Sequence, residues 1–285
     1  MQYIRLNKYK PLILLVLYTI TPASANEFRS PRAAALGGAG HANPLLNDSV
    51  SQNPSFASFL PVYSWSGSFK SLGEGRGRAY SLSVLDGRSE FVQAAAAYTV
   101  RDELTALHLG VSKKLAPKLT LGIGAKFFYS KAKNRFENSR NVSLSATAAP
   151  TDWLQIALIG DNLLSPAGTS QLGLEREVVL GTKLKVNEKV LLYIDPHAHL
   201  AKGLDDTVKS TFAYEAGTEL QVYKDLYLRV GTFKNIAHPD LREKSNGFGY
   251  GIGWVAPRMS FDFAVERVLS PADRLTHTSS VTLYF

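Results

Sequence analysis

From Val62 to the last residue, apolar and polar side chains alternate at period two in one short run after another. No other property of the chain limits its fold as much. Leu119, Leu121, Ile123 and Phe127 share one strand face, and Gly122, Gly124 and Lys126 the other. Val178, Leu180, Leu184 and Val186 oppose Lys183 and Lys185, while Phe212, Tyr214, Leu220 and Val222 oppose Glu215, Gly217 and Glu219. Phe248, Tyr250, Ile252 and Trp254 make another apolar face, and Phe261, Phe263 and Val265 back onto Asp262 and Glu266. In the last run, Val281, Leu283 and Phe285 alternate with Thr278, Ser280 and Thr282. The pattern predicts fourteen strands, at 62–72, 78–86, 90–100, 103–115, 118–131, 139–149, 153–161, 175–186, 189–199, 211–223, 225–234, 246–256, 258–268 and 275–285.

The connections between these strands alternate too. Tight turns at Ala116-Pro117, Pro150-Thr151-Asp152, Asn187-Glu188, Lys224 and Pro257 alternate with longer polar stretches at 132–138, 162–174, 200–210 and 235–245. Short turns on one side and longer loops on the other, with a greasy face on nearly every strand, predict an all-β, antiparallel transmembrane barrel. A water-soluble sandwich needs neither asymmetry. Tyr63, Trp65, Tyr129, Trp153, Tyr223, Tyr227, Trp254 and Tyr284 fall near strand ends, where interfacial aromatics belong.

The N-terminus fits an exported chain. Arg5, Lys8 and Lys10 precede the apolar run Pro11–Ile20 and the small residues Ala23-Ser24-Ala25, which predicts a signal peptide over residues 1–25. The apolar run is too short to span a bilayer, which takes about 20 residues. Cleavage would lower the formal charge from +8 to +5. Cysteine is absent, so there is neither a disulfide framework nor a thiolate metal site. The basic residues are scattered and the compartment is wrong for nucleic acid, whereas a basic balance suits outer-membrane lipid and lipopolysaccharide.

Residues 26–60 break the alternation with small residues, glycines and prolines. A fourteen-stranded barrel is too wide for its own side chains to fill, so this stretch is expected to form a plug, with residues 61–285 as the barrel around it. Within it, Arg32-Ala33, Gly37-Gly38-Ala39-Gly40, Asn47-Asp48-Ser49-Val50 and Asn53-Pro54-Ser55-Phe56-Ala57 resemble the N-terminal region of the FadL-like long-chain fatty acid transporters and their PorV-like relatives. Ser55 and Phe56 depart from the family's Ala and Gly, and Asp48 lacks a second acidic neighbour.

The resemblance implies a fourteen-stranded outer-membrane barrel and passive transport of small hydrophobic or amphipathic molecules. Gly37, Gly38, Gly40, Asp48, Asn53 and Pro54 would then be plug or gating residues, and a small hydrophobic molecule the ligand. It also implies release of ligand through a break in the wall, for which the small-residue patch Ala94–Ala97 is a candidate. Separately, the last strand, ending in Phe285, resembles the terminal strand of bacterial outer-membrane barrels, which implies recognition by the barrel-assembly machinery. Two other readings stay open: a non-transporting scaffold barrel, as among PorV-like relatives, and an outer-membrane lipid-modifying enzyme.

The polar lumen candidates are His108, Lys126, Asp195, His197, His199, Glu215 and Glu219. On a strand, Asp195, His197 and His199 share a face, a pattern able to bind a metal or to supply a base and its orienter, with His108 as a conceivable partner. Polar lumen side chains near a rim account for the same pattern. No G-x-S-x-G elbow is present. The sequence reading assigns no catalytic residue, no metal ligand and no cofactor.

Overall fold

A computed structural model describes residues 28–73, 77–102, 104–131, 138–164, 172, 174–202, 208–237 and 244–285. The expected signal peptide and the first two residues of the expected plug lie outside the described residues, as do parts of the long loops.

Fourteen antiparallel strands close into one barrel. They are β1 (Tyr63–Leu72), β2 (Arg78–Asp86), β3 (Gln93–Arg101), β4 (Leu104–Ala116), β5 (Leu119–Ser130), β6 (Ser139–Ala148) and β7 (Leu154–Asp161). The second half comprises β8 (Arg176–Lys185), β9 (Val190–Lys202), β10 (Val208–Tyr223), β11 (Leu226–Ala237), β12 (Lys244–Ala256), β13 (Met259–Ser270) and β14 (Arg274–Tyr284). Each strand pairs with its sequence neighbours, and β1 closes on β14 from Ser64 opposite Tyr284 to Leu72 opposite Thr276. The N–H of Phe285 donates to the Tyr63 carbonyl at 2.9 Å, so the chain end is tied into the seam. Closure leaves no strand edge, which a hydrocarbon environment requires.

The faces are those of an inside-out protein. Leu121, Ile123, Leu180, Phe212, Tyr214, Ile252, Phe261, Val281 and Leu283 are exposed on the outer wall. Lys126, Glu215, Glu219, Asp262, Thr278 and Thr282 are buried within it. Trp65, Trp153, Tyr223 and Trp254 are exposed near strand ends.

The predicted strand bounds hold to within three residues, and the departures have physical causes. β9 and β10 run past the expected ends because Lys202 pairs with Val208, extending the hairpin into the loop. β11 reaches Ala237 through a register shift between Phe233 and Ile236, where Asn235 adopts φ 59°. That shift turns Ile236 inward onto Phe233, Ala213 and Val268.

Pro196 has no N–H to give the ladder, yet it does not bulge β9. The β8–β9 register is the same on either side of it, from Val179 opposite His197 to Thr182 opposite Ile194. Asp195 Oδ1 accepts the Thr182 N–H at 3.0 Å, a side-chain bond beside the residue that has no N–H to give. The expected wall break at Ala94–Ala97 is not found. Ala94 to Ala97 pair continuously with Asp86 to Ser83 on β2 and with Val111 to His108 on β4.

Residues 28–60 lie inside the barrel. α1 (Pro31–Ala35) starts from Ser30, whose hydroxyl accepts the Ala33 N–H at 3.3 Å, with Pro31 at its first position. A 3₁₀ turn (Leu46–Asp48), α2 (Ser49–Gln52) and a second 3₁₀ segment (Pro54–Phe59) follow, then the chain enters β1. Ala34 and Ala35 pack on Ala264 of β13, Leu36 on Tyr193 of β9, and Val50 and Ala57 on Leu85 and Ala95 of β2 and β3.

Candidate functional site

The N-terminal segment seats against the wall where the wall has no side chains. A Cβ at Gly249 would meet the Ala34 carbonyl, one at Gly231 the Leu36 carbonyl, and one at Gly122 the Pro54–Ser55 peptide. These glycines lie on the lumen face of β12, β11 and β5, where they let backbone approach backbone.

Charge then fixes the segment. Three cations on it, Arg29, Arg32 and His41, meet wall carboxylates. Arg29 pairs with Glu215 and, at 3.2 Å, with Glu266. Arg32 Nε donates to Glu219 at 2.9 Å, and its Nη2 to the Tyr193 hydroxyl at 2.6 Å. Arg229 continues the chain, donating to Glu219 at 2.6 Å and to Asp262 at 2.5 Å. His41 Nδ1 stands 2.9 Å from Asp195 Oδ2. Burial alone would strip the proton from His41, but Asp195, and behind it Glu215, hold its pKa above the ordinary imidazole value.

Asp195 joins wall and segment. Its Oδ2 accepts the backbone N–H groups of Gly40 and His41 at 2.8 and 2.9 Å, while Oδ1 takes Thr182 of β8. Gly37, Gly38 and Gly40 have φ of 67°, 95° and 119°, values open to glycine that turn the chain back after α1 and aim these N–H groups.

The other expected residues of the segment have defined partners. Asp48 accepts the Ser30 hydroxyl at 2.5 Å and keeps a narrow window onto a cavity. Burial pushes its pKa up to about 6, against the pull of Ser30 and Arg32. Asn53 stands at the N-cap of the second 3₁₀ segment, yet its side chain makes no capping hydrogen bond. Its Nδ2 donates to the His41 carbonyl at 2.7 Å and to Thr147 Oγ1 of β6 at 2.8 Å. Ser55, the departure from the family motif, donates its hydroxyl to Asn53 Oδ1 at 2.6 Å and its N–H to Ser145 at 2.9 Å. Pro54 packs toward Gly110 and Gly124.

The structure divides the lumen candidates into groups. His108 lies opposite Lys126 in the β4–β5 ladder and edge-on to Phe128, and Lys126 pairs with Asp161 at 2.6 Å. His108 is therefore not the partner of His197 and His199. Asp195 does not join those imidazoles either, because backbone N–H groups and His41 occupy its oxygens. Their carboxylate is Glu177 of β8, 3.2 Å from His197 Nδ1 and 3.4 Å from His199 Nδ1, and Glu215 Oε2 stands 3.4 Å from His197 Nε2.

Sequence reasoning missed Arg29, His41, Glu175, Glu177 and Arg229 as site residues. The one available signal was the spacing of Arg29 and Arg32, two cations three residues apart in a segment destined for an acidic lumen.

Above the segment lies a cavity of about 90 Å³. Phe28, Leu174 and Ile236 give it apolar wall, and His197, His199, Glu177 and Asp48 give it polar wall.

No protein-family model matches the sequence, and no curated protein matches it. Solved structures match the fold. The toluene transporter TbuX of Ralstonia pickettii superposes with a TM-score of 0.64 at 10% identity, over 90% of this chain and 98% of that one. The toluene transporter TodX of Pseudomonas putida gives 0.63 at 11% identity, over 92% and 99%. The outer membrane protein Omp33 of Acinetobacter baumannii gives 0.51 at 13% identity, over 79% and 99%. The fold is FadL-like. At such identities the likeness speaks to architecture, that of an outer-membrane barrel with an N-terminal segment.

Proposed function

We propose that this protein is a plugged outer-membrane channel for passive passage of small hydrophobic or amphipathic molecules. The observation that carries the reading is how residues 28–60 are held. They fill the lumen of a barrel otherwise wide enough to leave a channel, and they are fixed by ion pairs and hydrogen bonds that can part without breaking the wall. The toluene transporters named above share the architecture, which supports a small apolar cargo. The cavity, smaller than the ~150 Å³ cavity known to hold benzene and lined mostly by polar and charged side chains, is no resting place for such a cargo, which would have to pass as the segment shifts. Binding on the way must stay weak enough for release. With β2, β3 and β4 paired through Ala94–Ala97, the supported route runs past a shifted segment rather than through that patch.

One observation favours a second reading. The same continuous wall and fully seated segment suit a sealed barrel that serves as a scaffold or docks a partner. Planar-bilayer conductance of the refolded protein, with and without residues 26–60, separates the two. A closed full-length barrel that opens on deletion supports the gated channel. Silence in both forms favours the scaffold, and steady conductance in both would remove the plug altogether.

A further inference from the structure

We propose that Glu177, His197 and His199 form a binding site for a divalent transition-metal ion of the zinc class on the lumen wall. Three of the six histidines in the chain, His41, His197 and His199, converge beside this wall, far more than scattered polar lining requires. The β8–β9 register places Glu177 opposite His199, and His197, two residues before it, points the same way. One oxygen, Glu177 Oε2, lies 3.2 Å from His197 Nδ1 and 3.4 Å from His199 Nδ1. Two ligand atoms on a tetrahedral ion with bonds of about 2.0–2.1 Å stand about 3.3 Å apart, which these two separations match, and one ligand atom from each of the three residues lies within 4.8 Å of the others. Glu175 Oε2, at 3.8 Å from His199 Nδ1, is the nearest candidate for a fourth ligand, although Lys244 at 3.6 Å competes for it.

Unused hydrogen-bonding atoms point independently to a ligand. His199 is 2% exposed and lines the cavity, yet neither of its ring nitrogens has a hydrogen-bond partner. His197 Nε2, Glu215 Oε2 and Glu175 Oε2 are likewise buried without one. Buried polar atoms left in this way are costly and rare in a finished core. An ion occupies the idle His199 Nδ1. By taking His197 Nδ1 it also fixes that ring's proton on Nε2, which faces Glu215 Oε2 at 3.4 Å. A carboxylate behind a liganding imidazole is the usual outer shell of such sites. His41 stays outside the set because its Nδ1 is committed to Asp195. The site requires neither conduction nor a mobile segment, so it stands or falls apart from the transport reading.

The test uses the untagged, full-length, folded barrel in detergent, stripped with chelator and titrated with Co²⁺ alone, then competed with Zn²⁺. Expected are one Co²⁺ per barrel with the intense visible bands of tetrahedral coordination, and displacement by Zn²⁺. His199→Ala, at a ring without hydrogen bonds, should keep the heat-modifiable gel mobility of a folded barrel while weakening binding by about tenfold or more. Glu215→Gln should weaken it by about tenfold as an outer-shell change. His108→Ala, on a separate pair, should bind as the parent does. Absence of tetrahedral bands, or bands unchanged in His199→Ala, would overturn the assignment.

Discussion

Arg32 shows what a single side chain contributes inside this barrel. Its guanidinium reaches Glu219, Tyr193 and the Asn43 carbonyl, so it ties α1 to β9 and β10 and to its own following loop. Removing one partner of a buried pair costs about 3–5 kcal/mol. Since Arg229 still neutralises Glu219, Arg32→Ala belongs at the low end of that range. Bilayer recordings of Arg32→Ala should show frequent openings where the parent is closed, and a closed variant would rule out the ion pair as a latch. Asp48 gives a pH dependence of known sign. Its carboxyl sits beside Ser30 and near Arg32, Arg229 and Asp262, and burial raises its pKa to about 6. A released, hydrated aspartate titrates near ~3.9. Between about pH 4 and 6 the seated segment therefore binds more protons than the released one. Seating gains strength as pH falls through that window and loses it as pH rises through it, the loss being nearly complete a little above pH 6. Open probability should rise from pH 5 to pH 7.5, and Asp48→Asn, which mimics the protonated acid, should flatten the rise. An identical slope in the variant would place the titration elsewhere.

Among the elements, α1 and the 3₁₀ segment Pro54–Phe59 are each too short to be stable helices in water, so they persist because the wall accepts them. Acceptance depends on lumen-face glycines. A Cβ at Gly249 would fall on the Ala34 carbonyl, which the α1 backbone can avoid only by moving inward. Overpacking of this kind costs about 1–3 kcal/mol. Gly249→Val should make residues 28–60 more sensitive to added protease while the barrel keeps its folded gel mobility; unchanged cleavage would mean that the seat tolerates the side chain. The glycines on inner strand faces were plain in the sequence, at Gly122, Gly124 and Gly217 for example. Their purpose was not, because nothing local to a strand tells that another segment of the chain will lie against it.

The whole molecule presents an apolar wall outward and polar contacts inward. Ile123 near the middle of β5 is 53% exposed on the outer wall, opposite in sense to the buried Lys126 of the same strand. A charge on the lipid face near the membrane midplane costs about 2–4 kcal/mol. Ile123→Arg should lower the urea midpoint of the barrel in lipid vesicles, whereas Thr278→Ser on the lumen face should leave it nearly unchanged. Equal effects would mean that the outer wall at Ile123 does not face lipid.

By itself, the sequence determined the strands, their faces, the two kinds of connection and the existence of an N-terminal segment too broken to join the wall. Those features are local: a two-residue period or a run of Gly, Ala and Pro is complete within a dozen residues. Only the tertiary structure decided that Arg29 meets Glu215, that His41 takes Asp195 and that Glu177 rather than Asp195 faces His197 and His199. The first two contacts join residues 186 and 154 positions apart. The third depends on strand register, since a slip of one residue would turn Glu177 to the lipid side. Closure sets that register, and closure is a property of the whole ring of strands.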